Sequence, residues 1–300
     1  MRKGFTDQMI QLARKDPDFI FLTGDLGFNA FEQLREEMGN RFINAGVAEQ
    51  NMIGVAAGLA LQGHSVAVYS IAPFVTLRCL EQIRNDVCFH KLPVMIVGNG
   101  GGYGYGIMGS SHHALEDIAV TASLPNMTCY LPAFGDEVAP LLEKAYQSKS
   151  PAYIRLGLAA KSPSPAKMHG NFRVIQQVIE PIATIIAAGP VAASVIGIRD
   201  DVDIFTLQSL PVGEIPEIAM YSMLNSRNLM VVEEHVKHGG IGESLIAAIV
   251  PDVGTSFFIH HAHAAGYPDN LYGSRDYHLK QSGLDRESLA EALTNLTMDW

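Results

Sequence analysis

Residues 41–63, RFINAGVAEQNMIGVAAGLALQG, constrain this chain more than any other stretch. Phe42, Ile43 and Asn44 read as the end of a strand, because apolar and branched residues run straight into small ones. Ala45, Gly46 and Val47 turn the chain, and from Ala48 onward Met52, Val55, Ala56, Leu59 and Ala60 recur at spacings of three and four. That period predicts a buried helix, and Gly63 stands where a left-handed C-cap is wanted. Glu49 therefore falls in the first turn of a mostly apolar helix that follows a strand. Position alone leaves two readings: a surface acid favoured by the helix dipole, and a buried catalytic carboxylate.

The rest of the first half alternates strands and helices at βα spacing. Residues 1–16 read as a helix stopped by Pro17, 19–22 as a short buried strand, and 28–38 as a helix ended by Gly39. Residues 65–69, 93–97, 127–131 and 151–156 are further strands, with helices expected over 76–89 and 136–147. Such alternation predicts a parallel sheet covered on both faces, hence an α/β fold. Residues 159–170, AAKSPSPAKMHG, are the one clear linker. Beyond it, strands are expected near 172–178, 183–187 and 202–206, with a helix near 191–198. The domains are thus read as 1–158, a linker at 159–172, and a second α/β domain at 173–300.

Composition excludes several classes of function. A net charge of −10 argues against a nucleic-acid or anionic-membrane surface. Cys79, Cys88 and Cys129 form no CxxC, and residues 1–6 show no secretory signal, so they read as reduced thiols of a cytoplasmic protein. No apolar run approaches the roughly 18 residues of a membrane span.

Chemistry-bearing residues collect at the strand exits. Asp25, in Thr23-Gly24-Asp25-Leu26, leaves the first strand and reads equally as a turn cap or a site residue. Phe74 leaves the strand at 65–69, as a core or a stacking aromatic, and Arg78 follows; Arg84 is expected to pair with a nearby acid. The fourth exit, residues 98–106, carries GNGGGYGYG, whose glycines suggest close approach to a ligand. Its GxGxxG at Gly104, Gly106 and Gly109 is a weak signal, because it does not open a helix directly. Then comes Ser111-His112-His113-Ala114-Leu115-Glu116-Asp117. No metal is predicted: adjacent histidines cannot both face one ion on a regular element. His260, His261 and His263 cluster late in the chain without an assignable role.

Asn44-Ala45-Gly46-Val47-Ala48-Glu49-Gln50-Asn51-Met52, together with Ser111-His112-x-x-x-Glu116-Asp117, resembles the transketolase family of thiamine-diphosphate enzymes over nearly the whole chain. Residues 229–242, with Glu233, Glu234 and Gly239-Gly240-Ile241-Gly242, resemble its C-terminal domain, where both acids would be structural. The resemblance implies a pyrimidine-binding domain followed by a transketolase C-terminal domain. It makes Glu49 the partner of the cofactor's N1′ nitrogen, favouring the imino tautomer that deprotonates C2. Phe74 would stack on the aminopyrimidine, Asp25 and Arg78 would lie near the cofactor, and His112 would reach the sugar. His113 is expected to face away. The Gly-Asp-Gly that holds magnesium and diphosphate in the family does not occur. The expected assembly is therefore α2β2, with an N-terminal partner subunit holding Mg2+ and the diphosphate. The expected activity is transfer of a two-carbon ketol unit between sugars. The β-subunit of a 2-oxo acid dehydrogenase and a noncatalytic nucleotide- or partner-binding module are the alternatives. The family's phosphate-holding positions fall near Asn29, Gly100 and Leu158, and its sugar-contacting acid is replaced by Met108. None of the three offers a cation, which predicts a sugar lacking phosphate at that end, or a nucleotide-linked one.

Overall fold

The computed structural model describes residues 1–298 except 28, 164 and 254–256, with backbone only for 251–253. Its strands are β1 (Phe19–Thr23), β2 (Phe42–Asn44), β3 (Ser65–Ile71), β4 (Val94–Asn99), β5 (Thr128–Tyr130) and β6 (Ala152–Leu156), then β7 (Lys167–His169), β8 (Phe172–Gln176), β9 (Thr184–Ala188), β10 (Asp203–Leu207), β11 (Ser209–Leu210), β12 (Asn228–Glu233) and β13 (Phe258–Ala262). They form two sheets, ordered β11-β5-β6-β4-β3-β1-β2 and β13-β12-β9-β10-β8-β7. The first sheet is parallel throughout except where β11 joins β5 antiparallel. In the second, β13, β12, β9 and β10 run parallel, and β8 and β7 are antiparallel additions.

The helix Glu49–Leu61 forms as its small-residue period requires. Met52, Ile53, Ala56, Ala57 and Ala60 are buried in one cluster with Leu22, Val66, Val68 and Ile96. Alanines let the helix axis approach the sheet closely. Gly63, at φ +98°, takes the left-handed turn that ends the element. The chain steps from β1 out to β2, then returns across β1 to β3. The strand order therefore reverses beside β1, and the crevice beyond the carboxyl ends of these strands is where a doubly wound sheet binds ligands.

Three expectations change. The helix expected over 76–89 is instead the short turns Ala72–Val75 and Leu80–Gln82 followed by the π-helical Ile83–Cys88. The wider turn lets the adjacent Val87 and Cys88 both bury fully along with Ile83. The helix expected over 28–38 is Glu32–Met38, and Phe28 lies outside the described residues. Within the stretch expected to be a linker, Lys167–His169 pairs with β8 as an edge strand, while Ser164 lies outside the described residues. No described helix is long and apolar enough to cross a membrane.

Candidate active site

Glu49 is the first residue of its helix and only 4% exposed. Its Oε2 accepts from Arg78 Nη1 at 2.9 Å, and its Oε1 has Ser70 Oγ at 3.5 Å, the long limit of a hydrogen bond. Ser70 comes from the end of β3, and Arg78 from the turns that follow that strand. The Arg78 side chain is 46% exposed, so it covers the acid from the solvent side. Its guanidinium lies 4.3 Å from the centre of the Phe74 ring, a cation–π contact. Phe74 in turn meets the His112 ring edge-on at 5.1 Å. Glu49, Arg78, Phe74 and His112 thus form one continuous line across the exits of β2, β3 and β4.

His112 has Ser111 Oγ within hydrogen-bonding distance of its Nδ1, at 3.0 Å. Its neighbour His113 points the other way. His113 is buried, with Nε2 2.7 Å from the carbonyl of Gly106 and Nδ1 2.7 Å from Tyr267 Oη. Burial lowers its pKa below the usual histidine value. Neutral imidazole suits that place, donating to the carbonyl and accepting from the phenol. Asp25 stands apart, exposed at the end of β1, and accepts from Asn44 Nδ2 at 3.1 Å. Asn44 Oδ1 accepts from the backbone of Gly46, so the pair shapes the turn into Glu49. Burial, with the Glu49 carboxylate nearby, pushes the Cys79 thiol up to about 12, so it stays protonated beside the acid. Arg84 pairs with Asn85 rather than with an acid. Among the described residues no group of three His, Cys, Asp or Glu is placed to hold a metal ion.

The glycine-rich loop serves a different purpose from the one its composition suggests. A Cβ on Gly101 would lie 2.6 Å from Arg155, and one on Gly102 would lie 2.6 Å from the Glu234 carboxyl group. A Cβ at Gly98 would meet Tyr153 Oη at 2.8 Å, and one at Gly100 would overlap the ring of Tyr105. These glycines make room for the protein's own side chains. Arg155 is 3% exposed and binds Asp117 Oδ2 at 2.8 Å, with its Nη2 on the carbonyls of Ala114 and Glu234. Burial opposes its charge, and Asp117 more than offsets that. Glu234 accepts from Arg275 and from the backbone of Tyr103. The loop bearing His112 is therefore fastened between the two sheets by a buried network. That network was invisible in sequence, because its members lie 36 to 163 residues apart.

Three further groups border the site without having been signalled by the motifs: Arg2, Asn99 and Tyr105. They line a cavity of about 180 Å³ together with Gly100, Gly104, Gly157 and Leu158. Two of the positions expected to be without a cation, Gly100 and Leu158, are in this wall. Arg2 also lines a neighbouring surface cleft with Asn29. The fold thus brings a guanidinium to these positions from the first helix, Arg2–Lys15. The three positions carry no cation of their own, as expected; the cation comes from elsewhere in the chain.

Residues 1–158 match the family model described as transketolase, pyrimidine binding domain. One of the two subunits of the apulose-4-phosphate transketolase of Phocaeicola vulgatus is 29% identical over 97% of this chain and 95% of its own length. A putative transketolase C-terminal section of Methanocaldococcus jannaschii is 40% identical, but over 52% of this chain and 50% of its own. Among solved structures, a split-gene transketolase described as an inactive β4 tetramer superposes with a TM-score of 0.82, at 24% identity over 99% of this chain and 97% of that one. The family match spans the strand exits that assemble Glu49, Phe74, Arg78 and His112, and by it the chain belongs to the transketolase family.

Proposed function

We propose that this chain is the pyrimidine-side, C-terminal subunit of a two-chain, thiamine-diphosphate-dependent transketolase that moves a two-carbon ketol unit between sugars. Residues 1–158 are the pyrimidine-binding domain, 159–172 the connection, and 173–300 the transketolase C-terminal domain. The observation that carries this reading is Glu49. It is a buried carboxylate at a strand-to-helix turn, with one oxygen held only by a long contact from Ser70.

The residues fit an aminopyrimidine. Glu49 would share a proton with the ring nitrogen N1′, and Phe74 would pack against the ring face. Arg78 covers that face of Phe74 here, and its partial exposure lets it swing aside. Bound there, the cofactor would supply the acidic carbon that accepts the ketol unit. His112, with Ser111 at Nδ1, keeps Nε2 for a sugar hydroxyl. Asp25 holds Asn44 and so the approach to Glu49. The near full-length similarity to one chain of an apulose-4-phosphate transketolase supports a partner carrying the diphosphate-binding domain, which would hold Mg2+ and the diphosphate in an α2β2 assembly. The guanidinium of Arg2 beside Gly100 and Leu158 favours a sugar with an anionic end group over one without. This revises the substrate expected from sequence.

The test is reconstitution with such a partner in one cell. The complex should transfer a ketol unit from xylulose 5-phosphate to an aldose, with thiamine diphosphate and Mg2+ required. Calorimetry should show tight cofactor binding to the complex and weak binding to the lone chain. Lipoamide acetylation by the complex, or tight Mg2+-dependent binding by the lone chain, would overturn the assignment.

A further inference from the structure

Gly100 has no side chain, and the ring of Tyr105 lies in the space a Cβ would take. Tyr105 is partly exposed. One edge of its ring meets His112 at 5.8 Å, and the residue also lines the cavity that contains Arg2. Asn99 Nδ2, at the end of β4, donates to Tyr105 Oη at 2.9 Å. A phenol has one proton and can accept as well as donate. With Asn99 occupying an acceptor position, the hydroxyl proton remains to be given away. Among the described residues no acceptor takes it, so it is available to a molecule in the cavity.

We infer that Tyr105 is a specificity-determining residue, whose hydroxyl, oriented by Asn99, donates to a tetrahedral oxyanion at the end of a sugar held by Arg2. The inference rests on the transketolase reading for its substrate class, but the cavity is lined by this chain alone. The loop's second tyrosine, Tyr103, is fully buried and gives its hydroxyl to the carbonyl of Gly266. Of the two aromatic residues in the glycine-rich stretch, one is therefore part of the seam between the sheets and the other faces the cavity. A hydrogen bond from a neutral donor to a charged oxygen contributes enough that its loss weakens binding about tenfold.

The experiment is equilibrium binding to the full chain, with no ketose donor and no turnover. The probes are ribose 5-phosphate, ribose and inorganic phosphate. Tyr105→Phe keeps the ring against Gly100 and His112 and removes only the hydroxyl. The wild type should bind ribose 5-phosphate more tightly than either other probe. Tyr105→Phe should weaken that binding about tenfold and leave weak ribose binding as it was. Asn99→Ala should weaken it less, by losing the orientation. Equal affinity of Tyr105→Phe and wild type for ribose 5-phosphate would overturn the role of Tyr105 and leave the ketol-transfer reading intact. Inorganic phosphate bound as tightly as ribose 5-phosphate would mean a free-anion site and overturn the sugar assignment. Absence of ketol transfer in the reconstituted complex, with the binding pattern intact, would instead remove the reading and keep the site.

Discussion

Each half of the molecule places a glutamate at the N-terminal end of a helix beyond the carboxyl edge of its sheet. Glu49 opens Glu49–Leu61, and Glu233, at the end of β12, faces the start of Ile241–Val253. Both are almost fully buried. Glu233 is saturated: the backbone nitrogens of Ile241 and Gly242 donate at 2.8 and 2.9 Å, and His261 Nε2 lies at 2.6 Å. Glu49 has one good partner, a half-exposed arginine, and one long contact. The same carboxylate in the same kind of turn is a structural clamp where the chain satisfies it, and a reactive group where the chain leaves it open. Burial alone does not distinguish the two; the count of committed donors does.

The sharpest way to break this contrast is to neutralise each acid. Glu49→Gln should slow hydrogen–deuterium exchange at C2 of thiamine diphosphate in the reconstituted enzyme by about 10² to 10⁴. Its melting temperature should move little, because few protein contacts depend on it. Unchanged exchange would place the proton-sharing carboxylate elsewhere. Glu233→Gln should do the opposite. Leaving backbone donors at the helix start and His261 without their anion should destabilise the fold by about 1–3 kcal/mol, read as a lowered denaturation midpoint. C2 exchange in the surviving folded fraction should stay near wild type. A Glu233→Gln protein as stable as wild type would show that its donors are not committed.

A smaller effect concerns the seam between the halves and the outer edge of the second sheet. Burial lowers the pKa of His113, His260 and His278 below 6.5 in the folded protein. The unfolded chain then binds more protons than the folded one as pH falls below about 6.5. Stability is therefore complete above that value and declines as pH drops through the lowered folded values. Melting temperature measured from pH 7.5 to 5 should fall, and a flat or rising profile would mean these imidazoles are charged in the folded state.

Much of this arrangement is legible in the residues themselves. The elbow at 42–49 follows from branched residues ending a strand and small residues opening a helix at period 3.6. The convergence of Glu49, Phe74, Arg78 and His112 follows from the motifs and from the rule that parallel strands present their exits on one edge. Arg2, Asn99 and Tyr105 were not legible, because no spacing ties a first-helix residue to a loop 97 residues later. The glycine-rich loop misled for a related reason. Its glycines accommodate Arg155 and Glu234, and composition records a missing side chain without saying what fills the gap.

The two residues of β11 carry a consequence for how such chains are inherited. Ser209 and Leu210 come from the second half, yet they pair with Tyr130 and Cys129 and close the outer edge of the first sheet. The family match ends at residue 158, before this strand is made. A unit that is portable as sequence is thus not self-sufficient as matter. Recombination at that boundary would hand its recipient a sheet with β5 bare, inviting another chain to bind along it. The two halves travel together because one completes the other's hydrogen bonding.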